Sequence, residues 1–151
     1  MSDSERPLRL FLRLLGTVLG LAVVALLMPR AWMVWCHARI GLGEFPEAPV
    51  AEYLARAVSG LYALIGGLFW LVSFRPAEHR AVIRYVAVGV AALAVVVGIY
   101  AARAGIPMRW VVGDSAAGLG AAIVVLLLQA VPRRGSSTAA AKDEGRGRAE
   151  V

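Results

Sequence analysis

Residues 49–74 read PVAEYLARAVSGLYALIGGLFWLVSF, and the solvent around this stretch decides what the chain is. At about 1.5 Å per helical residue it is long enough to cross a hydrocarbon core of about 30 Å. Its far half is apolar, while its near half carries Glu52, Tyr53 and Arg56. An acid and a base four residues apart lie on one helical face and can pair. In lipid that matters, because an ion removed from water must be paired, hydrated or snorkelled to the interface.

Working outward, the same character recurs. Of 151 residues, 60% are hydrophobic and the mean hydropathy is +0.71, too apolar for an ordinary soluble domain. Apolar runs predict further spans at about 8–28, 82–102 and 110–131 beside that at 49–74. Arg9 and Arg13 sit near the start of the first, where long side chains reach the headgroups. That run ends in Leu27-Met28-Pro29-Arg30-Ala31-Trp32 without a small-x-small cleavage pattern, which favours an uncleaved helix over a signal peptide. Gly16 and Gly20 permit close helix approach, as do Ala63, Gly66 and Gly67 in the second span and the small residues from Ala116 to Ala122 in the fourth.

Between the first two spans, Pro29 can open a short helix and Gly41 can close it. Trp32, Trp35 and Arg39 then share roughly one face, the pattern of a helix lying in the headgroup layer. Short polar links at Arg75–Arg80 and Arg103–Arg109 require antiparallel neighbours. The expected fold is all-α: an antiparallel four-helix transmembrane bundle over 8–132 with a short interfacial helix. It is flanked by an N-terminal stub at 1–7 and a disordered tail at 133–151.

The net charge of +6 comes from basic residues that flank apolar runs, not from a basic stripe interleaved with aromatics, so nucleic acid is not an expected partner. Eleven of the 16 Lys and Arg fall with the two termini and the second link, and five on the other side. By the positive-inside rule both termini are cytoplasmic. The single Cys36 excludes an intramolecular disulfide and any multi-cysteine metal site.

The orientation gathers the polar residues on the outer side, where Glu52, Tyr53, Arg56, Trp110 and Asp114 form a candidate pocket. In it Arg56 is neutralised by Glu52 or Asp114; an ion pair locking the second span to the fourth is favoured over a substrate site. Cys36, His37 and Glu44 could offer three metal ligands, but adjacent residues on a helix diverge and no second His follows, so a plain interfacial loop is favoured and no metal is expected. No phosphate loop, HExxH or GxSxG motif is present, and no catalytic residue is assigned.

Tyr53-Leu54-Ala55-Arg56-Ala57-Val58-Ser59-Gly60-Leu61-Tyr62, with the small-residue fourth helix, resembles the DoxX-like group of small four-helix bacterial membrane proteins. The resemblance runs from the first span through the fourth and implies a bacterial inner membrane. Most members of that group lack an assigned function, and some are linked with respiratory or thiol redox systems. The Trp32–Glu47 insertion, with Cys36, departs from the group's pattern. In size the chain is also similar to the small multidrug exporters, but those carry an acid well inside the first span, where this chain has only Arg9 and Arg13. The expected function is therefore a non-enzymatic support or assembly subunit, working in lipid as a homo-oligomer or with other membrane subunits. The alternatives are a quinone- or redox-associated subunit, with quinone as its ligand, and a homodimeric small-molecule transporter.

Overall fold

The computed structural model describes residues 5–130; residues 1–4 of the expected N-terminal stub, and the expected tail at 133–151, lie outside the described residues. Helix α1 (Arg6–Gly20) and helix α2 (Ala22–Leu27) form the first span, interrupted at Leu21. Pro29, which has no N–H to continue the ladder, ends it and stands as N-cap of α3 (Arg30–Arg39). Gly41, at φ +74°, turns the chain out of α3. Helices α4 (Pro49–Ser73), α5 (Arg80–Arg103) and α6 (Met108–Ala130) follow, with Pro49 in the first turn of α4. The four spans of 22, 25, 24 and 23 residues are each long and apolar enough to cross a membrane. Each begins or ends within two residues of the boundary expected for it.

Large apolar side chains point outward on every span: Leu14, Leu64, Leu93 and Leu127 are each more than half exposed. A water-facing surface of this kind is foreign to soluble proteins, whereas lipid solvates it without cost. The molecule is thus a multi-pass membrane protein in contact with the bilayer.

Packing is uneven around the ring of helices. Helix α4 lies closely along α1 and α2, and α5 lies closely along α6; α1 touches α6 to join the two pairs, whereas α4 and α5 barely approach one another. The reason is where the small residues sit. A Cβ on Gly66 would come within 2.5 Å of the Gly20 nitrogen and 2.7 Å of the Gly16 carbonyl oxygen, so the Gly16/Gly20 pair is spent on α4 of the same chain. In the other pair, Gly118 approaches Ala94, with 3.1 Å between a Cβ placed on Gly118 and that of Ala94, and Ser115 Oγ donates to the Ala94 carbonyl at 3.2 Å. The short link at 74–79 makes α4 and α5 antiparallel, but neither turns its small-residue face to the other.

The buried core, Leu8, Leu12, Phe69, Val72, Ile83, Ala87, Ala122 and Val125, draws on the start of α1, the end of α4, the start of α5 and the end of α6. This is one end of the bundle, here called the closed end. Gln129, 4% exposed, donates to the Arg80 carbonyl at 3.2 Å, and Arg80 donates back to the Gln129 carbonyl. Arg13 donates to Ser73 Oγ at 3.4 Å and lies over the Trp70 and Phe74 rings, so its charge is held among polarisable groups near the interface.

Candidate functional site

At the opposite, open end the sequence places a break that needs chemistry to mend it. Pro29 interrupts the backbone ladder, so carbonyls at the end of α2 lose their helical partners. Arg56, one turn beyond Glu52 on α4, reaches them: Nη1 donates to the Leu26 carbonyl at 2.6 Å and Nη2 to that of Met28 at 3.1 Å. Glu52 Oε1 accepts from Arg56 Nε at 3.1 Å and Nη2 at 2.8 Å, and its Oε2 accepts from Arg30 Nη1 at 3.2 Å. Arg30 opens α3, where a cation opposes the helix dipole; the Glu52 carboxylate beside it offsets that. Both Glu52 oxygens are thus used, and the cluster ties α4 to the α2–α3 break.

This alters the expected pocket. The pairing of Arg56 with Glu52 is formed, but Asp114 has no ion pair or hydrogen bond to any described residue. The tie locks the second span to the first, not to the fourth, because Arg56 turns to the carbonyls of its close neighbour α2. Tyr53, on the other face of α4, is 69% exposed and belongs to the lipid-facing surface. Trp110 serves a different purpose: its Nε1 donates to the Ile40 carbonyl at 3.1 Å, while Arg109 Nη2 donates to the Gly41 carbonyl at 3.1 Å. Together they fasten the segment after α3 to the start of α6, so that the loop crosses from one helix pair to the other.

Cys36 is half-buried and free, and Glu44 is exposed. His37 is engaged locally: Nδ1 is 3.0 Å from the Gly43 carbonyl, and the ring meets Phe45 edge-on at 5.4 Å. Phe45 in turn lies under the Arg30 guanidinium at 5.6 Å. Among the described residues no three His, Cys, Asp or Glu side chains converge as metal ligands would.

From the open end down to the edge of the core the two helix pairs part around a cavity of about 600 Å³. Leu15 and Leu19 of α1, Tyr62, Ile65 and Phe69 of α4, Val90, Ala94 and Val97 of α5, and Asp114, Ala117 and Ala121 of α6 line it. Its walls are aliphatic and aromatic except at Asp114 and the Tyr62 hydroxyl. The volume follows from residue size: alanines stand on α5 and α6 where a filled bundle would carry leucine-sized side chains. Helix contact is close along α4–α1 and α6–α5, slighter along α1–α6 and slightest along α4–α5, and the cavity is partly open to the outside. A ligand could therefore enter sideways from lipid.

The sequence places Asp114 in an outer-side polar pocket with Arg56, but the apolar cavity around it is not legible there, because it depends on how far the two pairs splay. Comparison with known proteins adds no assignment: no family model matches the chain, and no curated protein or solved structure shows significant similarity to it.

Proposed function

We propose that this membrane protein holds a hydrophobic small molecule within the bilayer, between its two helix pairs. The observation that carries the reading is the cavity of about 600 Å³ lined by all four spans. That volume lies in the range of small-molecule pockets, about 300–1,000 Å³. A purely supporting subunit has no use for such a space, since every unfilled contact forfeits dispersion energy that tight packing would supply. The reading therefore stands ahead of the assembly role, and it keeps the quinone-associated and transporter roles as special cases of one site. The distribution of Lys and Arg supports cytoplasmic termini, which puts the Glu52–Arg56 clamp and the Asp114 end of the cavity toward the outer leaflet of a bacterial inner membrane. Kinship with the DoxX-like group fits this architecture and rests on the Tyr53–Tyr62 stretch.

The test uses the neutral dye Nile red and the full chain in nanodiscs of zwitterionic lipid. Saturable binding beyond that of protein-free discs is expected, lost in Ala121→Trp, which fills the cavity, with helical circular dichroism unchanged. Dye uptake that does not saturate, or that Ala121→Trp leaves intact, would overturn the proposal.

A further inference from the structure

Asp114 is the one acidic residue among those that line the cavity, it is exposed, and its carboxylate has neither ion pair nor hydrogen bond among the described residues. Of the arginines at the same end, Arg103 is exposed at the end of α5 and makes no ion pair with it, and three others are engaged elsewhere. Arg56 and Arg30 share Glu52, and Arg109 is bound to the Gly41 carbonyl. A carboxylate at membrane depth is protonated, hydrated or paired with a cation. The rest of the wall is apolar, and α4 contributes the ring of Tyr62, whose π-face attracts an alkylammonium group as a carboxylate does.

Resting on the cavity reading above, we infer that the occupant is a cationic amphiphile, an organic ammonium with an aliphatic body. Its headgroup pairs with Asp114 and its tail lies against Leu15, Ile65 and Val90. It enters sideways, where contact between α4 and α5 is slightest, so the bilayer itself is the reservoir from which it partitions. Clamp and cavity divide the charges of this end: Glu52 is saturated by the protein's own arginines, and Asp114 is left for the ligand.

The experiment displaces Nile red from the full chain in zwitterionic nanodiscs with three probes of equal chain length: dodecyltrimethylammonium, dodecanol and dodecyl sulfate. The wild type is expected to release the dye to the ammonium at a concentration roughly tenfold below that needed for dodecanol, with the sulfate weakest. Asp114→Asn removes the preference for the cation while dodecanol competes as before, and Asp114→Glu restores it. Equal displacement by all three heads, or a cation preference that survives Asp114→Asn, overturns the inference and leaves the cavity standing. Absence of saturable dye binding in the wild type instead removes the cavity reading, and this inference with it. A neutral quinone-like occupant predicts the first of these contrary outcomes, with dodecanol the equal of the ammonium.

Discussion

The two ends of the bundle are held together by different physics. At the closed end, Leu12, Phe69, Ile83 and Val125 interlock, and the side chains of Gln129 and Arg80 each donate to the other's backbone carbonyl across α5 and α6. At the open end hardly any large side chain is buried; Met33 is the exception, and cohesion comes from Arg56, Glu52, Arg30, Arg109 and Trp110 acting on carbonyls and on one another. Lipid already solvates apolar side chains, so a membrane protein gains from tight packing and from polar ties, not from removing leucine from water. One end uses the first means and the other the second, and the cavity runs from the open end down to the edge of the closed-end core at Phe69 and Ala122.

The largest effect that could break this contrast is at Gly66. Gly66→Leu drives a side chain into the backbone of Gly16 and Gly20 and should cost about 3 kcal/mol or more, seen as loss of monodisperse folded protein. Gly67→Leu, with nothing within 4 Å of its Cβ position, should be tolerated. Next comes Leu12→Ala. Its side chain is 0% exposed, and the cost should be about 2–3 kcal/mol, the lower part of the range for core leucines, because the unfolded helix keeps this side chain in lipid. Leu64→Ala, at 71% exposure, should change the midpoint of thermal unfolding little.

Arg56→Ala strips the Leu26 and Met28 carbonyls of their donor, and about 1–2 kcal/mol is expected from those two acceptors. Combined with Glu52→Ala its effect should be clearly non-additive. Combined with Asp114→Ala it should add to within about 0.5 kcal/mol, as for residues that share no partner. Coupling between Arg56 and Asp114 would erase the division between clamp and cavity. A smaller loss than at Arg56 is expected for Gly41→Ala, about 1 kcal/mol, from placing a Cβ at positive φ and against Arg109. It should loosen the loop and leave the closed end unaltered, as read by hydrogen exchange in α5.

The spans, the short helix between Pro29 and Gly41, and the Glu52–Arg56 pair were all legible in sequence, because each depends on local length, breaker residues or i,i+4 spacing. What was not legible depends on rotation about helix axes. Helix α6 is apolar or small nearly all round, so no periodicity tells which side of Asp114 is inside. Arg30 as a second partner of Glu52, and Arg56 as a cap on α2, require knowing that the break at Pro29 folds back onto α4. The mutual lock of Arg80 and Gln129 joins residues 49 positions apart with no motif to announce it. The spacing of the first span's glycines permits close helix approach, but nothing in it shows that the contact is Gly66 of the same chain.

The central claim, an apolar cavity open to lipid between two separately packed helix pairs, is tested most directly with bimane attached at Ala121→Cys in a Cys36→Ser background, in nanodiscs whose acyl chains are brominated. Bromine quenches the dye only on contact. The account predicts quenching at Ala121→Cys comparable to that at Leu127→Cys, a position 64% exposed on the outer surface. Protection of Ala121→Cys while Leu127→Cys is quenched would mean that the ring of helices is closed, and would contradict it.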